Sequence, residues 1–387
     1  MERLRFKDEN GNDFPEWTKT KLSRLSTIKT GKLDANAMKK RGNYKFFTCS
    51  RKNYFTDTYS FQGESLIIAG NGEIGNVKYY NGKFDAYQRT YVIQGFSEKM
   101  NSMYLKNYLI QNLPKQVHRE TNKGAMPYIR LATLSEMLVL SPVREEQEKI
   151  GGFLSAFDRL IEKQRDKVEL LKTSKKGYIQ HLFERSLRFK DESGKWYPEW
   201  RETILKNICR FSKGKNISKD DVSEQGLECI RYGQLYTDYS ENIEEIISKT
   251  DKHIDSLVIG EINDLLVPAS GETREDIASV ACLQKSKVAI GGDINILKSK
   301  ENSLFLAYYL NNAARNQLSS MAQGASILHL YKQQLEKVKI ELPVIEEQSK
   351  IAQFLKWYDD LIKINVALLD KYEKLKQSYL QRLFYNE

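Results

Sequence analysis

The sequence predicts an α+β protein that contains one unit twice, each copy a globular domain followed by a long helix. Three observations predict this architecture. A motif at the start of the chain recurs in its second half, and a second motif, rich in Glu and Gln, also occurs twice. Each copy of the second motif opens a long stretch of apolar residues at helical spacing. A repeat of this size constrains the architecture before any single motif does.

The two motifs mark the ends of each unit. Residues 4–17, from Leu-Arg-Phe to Pro-Glu-Trp, return as residues 187–200, which lie 183 positions later. The second motif begins at Pro142 and returns 201 positions later at Pro343, and the match then holds without a gap to Phe183 and its copy. The interiors differ in sequence. Similar ends around different interiors indicate one device used twice to recognise two different targets.

The second motif predicts two long helices. Apolar residues three and four apart run through 143–184 and its copy, as on one face of a helix. Pro142 and Pro343 suit a first helical turn, and the acids that follow complement its positive end. About 39 helical residues span on the order of 58 Å, more than one small domain can cover.

We therefore expect the two helices to pack against each other as an antiparallel coiled coil, which would make a spacer of fixed length. The alternative is that each helix lies on its own domain. The residues expected to form the helix contacts are Ile150, Phe153, Leu154, Phe157, Leu160, Ile161, Ile351, Phe354, Leu355, Tyr358, Leu361 and Ile362.

The interiors predict compact domains of mixed secondary structure. Short apolar runs at 65–69 and 265–268 are typical of strands, and 103–113 and 304–318 are typical of helices. The predicted boundaries are 1–141 for the first domain, 142–186 for its helix, 187–342 for the second domain and 343–387 for its helix.

Charge and aromatic content favour a polyanionic partner. The chain has 61 Lys and Arg against 51 Asp and Glu, a net charge of +10, with 22 Tyr and 16 Phe that could stack on bases. Composition alone leaves an aromatic core under a solvated cationic surface equally open. No apolar run approaches the roughly 20 residues that span a bilayer. The charged amino terminus lacks the pattern of a secretory signal, so we expect a cytoplasmic protein with no membrane partner.

Motifs for catalysis or metal binding are missing from the sequence. The four Cys and four His are scattered, without metal-ligand spacing or Cys pairs. Gly70-Asn71-Gly72-Glu73-Ile74-Gly75 matches a dinucleotide-binding pattern, but residues 76–83 after it predict a strand and turn, so a hairpin is the better interpretation. The chain also lacks the Pro-Pro motif of an amino-methyltransferase, a P-loop and a nuclease motif. A binding module, not an enzyme, is favoured.

Clusters of cations, amides and aromatics in loops are candidates for DNA contacts, because these groups bind base edges and phosphates. For any single residue, a solvated surface side chain is the alternative. The candidates are Arg51, Lys52, Asn53, Tyr54, Gln88, Arg89, Lys123 and Arg130 in the first unit, and Arg231, Tyr232, Gln234, Arg274, Ser326, His329 and Lys332 in the second.

The whole chain resembles the specificity subunit of type I restriction-modification systems. The resemblance rests on the repeated opening motif, the helix starts Glu145-Glu146-Gln147-Glu148-Lys149-Ile150 and Glu346-Glu347-Gln348-Ser349-Lys350-Ile351, and the duplicated unit. Residues 124–130 and 324–329 resemble the family's DNA-contacting loop, although the second copy lacks its Pro and Arg.

The resemblance implies two target recognition domains, each binding one half of a bipartite sequence in double-stranded DNA. It implies two methyltransferase subunits as partners, and restriction subunits that translocate DNA. S-adenosylmethionine, ATP and Mg would belong to those partners, with no cofactor in this chain. The alternative is a DNA-binding regulator or scaffold that stands alone on the same duplicated frame.

Overall fold

The computed structural model describes residues 3–52, 54–72, 74–120, 127–324 and 326–385. The chain forms two compact units, which we call unit 1 (Met1–Asp166 with Val366–Glu387) and unit 2 (Lys167–Asn365). Each unit contains the start of one long helix and the end of the other, whereas the predicted domain boundaries kept each helix whole. We assign each long helix to the unit in which it begins. Within the described ranges, no helix is long and apolar enough to cross a membrane.

Unit 1 is built on a six-stranded sheet. Its order is β2-β7-β5-β6-β3-β4, antiparallel except for β3 and β6, and β1 pairs with β8 separately. The strands are β1 Thr18–Lys21, β2 Thr27–Thr30, β3 Tyr44–Phe47, β4 Tyr54–Thr56, β5 Phe61–Ala69, β6 Val77–Ala86, β7 Thr90–Gln94 and β8 Leu138–Ser141. The predicted hairpin around Gly70 is confirmed, since β5 and β6 pair antiparallel with Ile68 opposite Val77.

The helices of unit 1 are α1 Leu22–Leu25, α2 Ser102–Glu120, α3 Leu131–Ser135 and α4 Arg144–Phe183, and a 3₁₀ turn covers Ala35–Ala37. α2 runs past the predicted 103–113 and contains Pro114. Its buried face, which includes Tyr104 and Leu105, shares a core with Leu66 of β5 and Ile150 of α4. The same core takes in Phe384, whose ring lies 5.4 Å from that of Tyr104.

Unit 2 has two larger sheets, of orders β10-β19-β15-β17-β12 and β13-β11-β18-β14, and two strand pairs, β9 with β21 and β16 with β20. Its strands are β9 Arg201–Ile204, β10 Cys209–Lys213, β11 Leu227–Ile230, β12 Asn242–Ile243, β13 Ser248–Thr250, β14 Val258–Gly260, β15 Leu265–Pro268, β16 Ser270–Gly271, β17 Ala281–Leu283, β18 Val288–Ile290, β19 Ile294–Ser299, β20 Leu328–His329 and β21 Lys339–Leu342.

The helices of unit 2 are α5 Leu205–Ile208, α6 Gln234–Thr237, α7 Arg274–Ile277, α8 Ser303–Asn312, α9 Arg315–Met321, α10 Lys332–Leu335 and α11 Ile345–Leu383, with a 3₁₀ turn at Ile254–Ser256. The single helix predicted at 304–318 is wrong, because α8 and α9 are separate. The side chain of Asn311 binds both backbone groups of Val280, and Arg315 donates to the carbonyl of Glu275. These contacts with the neighbouring segment lie on either side of the break.

The long helices run antiparallel within each unit, as predicted. In unit 1 the partners of Phe153, Asp158 and Arg165 on α4 are Tyr379, Lys376 and Glu373 on α11, in descending order. In unit 2 the Nζ of Lys175 lies 2.5 Å from a carboxylate oxygen of Asp359, and the ring of Tyr178 lies 5.2 Å from that of Phe354.

The residues predicted to pack between the helices differ in burial. Ile150, Leu154, Ile161, Ile351, Leu355 and Tyr358 are buried, and Phe153, Phe157, Phe354, Leu361 and Ile362 are half-buried. Leu160 is 41% exposed and so is not covered by its own unit.

Candidate DNA-binding interface

The two repeated motifs meet in space at the start of α4. The Arg5 guanidinium binds both carboxylate oxygens of Glu146, with Nε to Oε1 at 3.3 Å and Nη2 to Oε2 at 3.0 Å. It also donates to the carbonyls of Phe14 and Pro15 at 2.9 and 2.7 Å, and the indole of Trp17 donates to Glu146 at 3.2 Å. Because Glu146 is fully buried, these donors replace its hydration. We call this arrangement the clip.

Unit 2 repeats the clip. Arg188 contacts Glu347 at 3.2 and 3.0 Å and donates to the carbonyls of Tyr197 and Pro198. The hydrogen bonds that each arginine donates to its carboxylate raise the pKa of that arginine in both clips, and burial, which works against the charged form, offsets only part of this increase. Trp200 takes the place of Trp17, but its Nε1 has no hydrogen-bond partner within the described residues. Each clip fixes the chain opening of its unit on a helix start.

A glutamine next to each clip fixes the recognition domain to the same helix start. Gln147 accepts from the backbone N–H of Asn101 at 2.9 Å and donates to the carbonyls of Lys99 and Pro142. Gln348 accepts from the N–H of Asn302 at 3.0 Å in the same way. The ends of each unit therefore act as a rigid mount for the domain between them.

The candidate loops of unit 1 are brought together by their backbones. The carbonyl of Arg89, in the turn between β6 and β7, accepts from the N–H of Gly70 at 3.0 Å and from the thiol of Cys49 at 3.4 Å. The carbonyl of Gly70 in turn accepts from the N–H of Ile129 at 2.8 Å. Four segments that are far apart in sequence thus form one surface, which we call the unit 1 face.

Glycine allows this close approach. A Cβ on Gly70 would lie 2.3 Å from the carbonyl oxygen of Arg89, and one on Gly31, at the end of β2, would lie 2.2 Å from the carbonyl oxygen of Ala86. Gly214, the repeat of Gly31, meets the carbonyl of Gly291 in the same manner. A side chain at any of these positions would push the loops apart.

The unit 1 face is basic and exposed. Arg51, Lys52, Gln88, Arg89 and Arg130 are all exposed, and Tyr54 is half-buried in β4. The predicted residues Asn53 and Lys123 lie outside the described residues. The structure therefore groups cations from three predicted clusters on one surface.

Unit 2 builds the corresponding surface, the unit 2 face, with the same backbone links. The N–H of Leu330 donates to the carbonyl of Ala269 at 3.0 Å, and the N–H of Ala269 donates to the carbonyl of Asp293 at 2.7 Å. The N–H of Gly291 binds the carbonyl of Ile230, which leads into Arg231. The turn after β18 and the segment before α10 thus occupy the places of the unit 1 loops.

The predicted residues of unit 2 differ in their exposure and in their contacts. Tyr232, Ser326 and Lys332 are exposed, and Arg231 and His329 are half-buried, with the His329 ring 3.1 Å from the hydroxyl of Ser270. Gln234 is 3% exposed, and its side chain binds the N–H of Arg231 and the hydroxyl of Ser248. Gln234 therefore stabilises its turn, and we leave it out of the interface. Arg274 donates to the carbonyl of Ser319 at 2.8 Å.

Two exposed tyrosines next to predicted residues of these faces were not among the individual predicted contacts, although Tyr128 lies in the predicted loop 124–130. Tyr128 is 50% exposed and receives hydrogen bonds from Arg130, whose guanidinium lies 5.1 Å from its ring. Tyr331 is 48% exposed and stacks on His329 at 5.7 Å. In each unit the two residues of the pair lie two positions apart and precede a short helix. This repetition in the sequence could have pointed to both tyrosines.

Charge differs between the faces. The position of exposed Arg89 in unit 1 is taken in unit 2 by Asp293, which forms an ion pair of 3.1 Å with Lys213. The unit 1 face therefore carries a positive charge where the unit 2 face carries a negative one. No cluster of His, Cys, Asp and Glu that could hold a metal occurs among the described residues.

The family model for the type I restriction modification DNA specificity domain matches this chain twice, over residues 15–170 and 197–374. The specificity subunit of the type I restriction enzyme EcoDI from Escherichia coli is 25% identical, over 96% of this chain and 88% of that protein. The specificity subunit of the enzyme MjaVIII from Methanocaldococcus jannaschii is also 25% identical, over 73% of this chain and 69% of that protein.

Solved structures agree in fold. The S subunit of the type I restriction-modification system from M. genitalium is 16% identical and aligns over the full length of both chains with a TM-score of 0.67. A chain from a structure describing complex assembly of the type I system is 16% identical and covers 96% of this chain and 98% of its own length, with a TM-score of 0.54. This chain belongs to the type I restriction-modification DNA specificity family, and its role is to supply DNA sequence specificity.

Proposed function

We propose that each unit binds one half of a bipartite DNA target, through the unit 1 face and the unit 2 face, and that the antiparallel helices set the gap between the halves. The observation that carries this proposal is the repeated loop surface, built by matching backbone hydrogen bonds but carrying different side chains. One frame with two different sets of exposed groups fits two different half-sites.

The exposed groups suit contacts with duplex DNA. Arginine binds guanine and phosphate in bidentate fashion, and amides bind adenine, so Arg51, Gln88 and Arg89 could contact bases or the backbone. The contacts of Gln147 and Gln348 fix each domain to a helix start, and this supports specificity because base contacts require side chains held in a fixed geometry. In unit 2, Tyr232, His329 and Lys332 would take this part.

The partners that we propose follow from the membership of this chain in the type I specificity family. We propose that the chain has no catalytic activity of its own and directs two adenine methyltransferase subunits, and restriction subunits where these are present, to its target in the cytoplasm. The partners would hold S-adenosylmethionine, ATP and Mg. The relatives' names support the assignment to a type I restriction system.

Modified-base sequencing of cells tests the proposal. The chain would be co-expressed with a type I methyltransferase subunit from its own genome, and methylated adenines would be mapped genome-wide. We expect a bipartite motif with a fixed gap that disappears without this chain. Exchange of residues 18–141 for those of a related chain should change one half of the motif only.

Two outcomes would contradict the proposal. A change in both halves after the exchange would mean that the units do not act separately. Methylation that is unaffected by the chain, despite a stable complex with the methyltransferase, would favour a scaffold. In the mapped system, Arg89→Ala should weaken binding by about 1–3 kcal/mol if Arg89 contacts a base.

A further inference from the structure

Unit 1 contains a basic cavity whose wall shares no residue with the unit 1 face. It has a volume of about 730 Å³ and lies between the β1–β8 pair and the carboxyl-terminal part of α2. Arg3, Lys19, Lys115 and Arg119 contribute four cations to its wall, and Glu136 contributes one acid. We call this cavity the basic pocket.

The charges of the basic pocket are poorly neutralised. Among the described residues, Lys19, Lys115 and Arg119 have no ion-pair partner, and Glu136 is bound to Lys21 outside the pocket wall. Arg3 donates to the carbonyl of Tyr385 at 3.1 and 3.0 Å and lies 4.8 Å from the ring of Trp17, so its contacts with the described residues include no carboxylate. Cations that converge on one cavity raise its positive potential and favour binding of an anion.

Unit 2 serves as an internal control for this feature. Asn101 and Asn302 each accept a hydrogen bond of 2.9 Å from the N–H three residues later, which aligns α2 with α8 and α9. In this alignment Asn316 and Ser320 replace Lys115 and Arg119. In the alignment of the two opening motifs, Ser186 and Glu202 replace Arg3 and Lys19. Glu202 lies 3.7 Å from Lys339 in an ion pair. The same scaffold therefore forms without these four cations, so folding does not explain them, and the cationic cavity of unit 2 lies at a different place, beside β10 and β19.

The basic pocket adjoins the unit 1 face. α3 has five residues, about 7.5 Å of helix, and it connects Arg130 of the face to Glu136 of the pocket. Gln116 in the pocket wall donates to the carbonyl of Thr133 in α3 at 3.0 Å.

We propose that the basic pocket binds the phosphate backbone of the duplex just outside the half-site of unit 1. Unit 1 then holds DNA through both base and flanking contacts, and unit 2 has no equivalent. This inference rests on the proposed function of the unit 1 face. An acidic protein segment is the other class of anion that could bind here. The wall favours phosphate because it offers little apolar surface to a protein segment, and Leu138 is its main exposed apolar side chain.

The test replaces two pocket cations by the residues of unit 2. Lys115→Asn with Arg119→Ser is compared with Lys163→Asn with Lys371→Ser, which removes two exposed cations of the long helices in the same unit. Binding of each methyltransferase complex is measured on duplexes that carry the mapped motif. The duplex either ends at the half-site of unit 1, which we call the short flank, or continues for twelve base pairs beyond it, which we call the long flank.

On the long flank, the pocket variant should reduce the slope of log K against log salt by about 1.8, or 0.9 per lost phosphate contact. The effect of raising salt from 50 to 200 mM would then be about tenfold smaller. On the short flank, the pocket variant should bind like the wild type. The control variant should keep the wild-type slope on both duplexes.

Two results would overturn the inference. One is an unchanged slope on the long flank. The other is loss of the methyltransferase subunit from the pocket variant with unchanged DNA binding by what remains, which would assign the pocket to an acidic protein segment. If the wild-type complex has no bipartite motif, the proposed function itself fails, and that result is separate from either of these.

Discussion

Arg5 and Glu146 lie 141 positions apart in the chain and form a bidentate ion pair with N···O distances of 3.3 and 3.0 Å. The arginine comes from the first repeated motif and the glutamate from the second. Arg188 and Glu347 form the same pair in unit 2. The residues that repeat in the sequence are thus those that join the two ends of each unit.

Loss of Arg5 should destabilise unit 1 strongly. Arg5→Met leaves the fully buried carboxylate of Glu146 without its cation, and breaking a buried pair costs about 3–5 kcal/mol. The control is Arg165→Met, which removes an exposed pair with Glu373 and should cost about 0–1 kcal/mol. Urea unfolding of the two variants gives the comparison. Equal losses would show that the clip contributes no more than a surface pair.

Asp158 should make the stability of unit 1 depend on pH in acid. Burial raises the pKa of Asp158, but Lys106 and Lys376 more than offset this effect, so its pKa lies below the ordinary value. A lowered pKa in the folded state stabilises the fold above the unfolded pKa, and this stabilisation is lost as the pH falls through the folded pKa.

The unfolding free energies of the wild type and Asp158→Asn should therefore differ at pH 6 and converge as the pH falls below about 4, near the unfolded pKa of an Asp. Lys376→Met removes one of the two cations and should move the loss to higher pH. A difference between the wild type and Asp158→Asn that stays constant from pH 6 to pH 3 would contradict this account.

Cys49 should be the thiol that reports DNA binding. Burial raises the pKa of Cys209 and of Cys282 to about 12, and it also raises the pKa of buried Cys229. Cys49 is half-buried and lies 3.4 Å from the carbonyl of Arg89 on the unit 1 face. At pH 8 a thiol reagent should therefore modify Cys49 first, because the thiolate is the reactive form and needs access.

Cognate duplex should slow this modification, and a duplex with the half-site of unit 1 scrambled should slow it less. Cys49→Ser supplies the background rate from the buried thiols. Equal rates with and without cognate DNA would place the duplex away from the unit 1 face.

The sequence predicted the elements governed by local pattern. The two long helices begin and end within two residues of the stretches expected from periodicity, and the turn glycines at 70–75 end a strand as expected. The contacts that bring Cys49, Gly70 and Ile129 to Arg89 are long-range, and no periodicity in one sequence encodes them. For the same reason, the burial of Gln234 and the break between α8 and α9 were missed.

A circular permutant should fold and keep its specificity. The N–H of Leu4 donates to the carbonyl of Arg382 at 3.1 Å, and its repeat Leu187 donates to the carbonyl of His181 at 3.0 Å. In unit 1 the opening motif is thus joined to the end of α11 by a hydrogen bond and not by a covalent link. The second opening motif, in contrast, follows the end of α4 directly in sequence.

Three residues, 184–186, connect Phe183 to Leu187. Fusing Glu387 to Met1 places six residues between Phe384 and Leu4, which is ample length for the same connection. New termini between Arg185 and Ser186 then open an exposed segment outside the helices and strands. Because every hydrogen bond of the clips is retained, the permutant should give the wild-type methylation motif and gap.

The same fusion opened inside α2, between Ile110 and Gln111, should fail to fold because it splits the core helix of unit 1. Loss of the motif in the first permutant, with soluble protein present, would show that the peptide bond between Arg185 and Ser186 does more than connect two repeats.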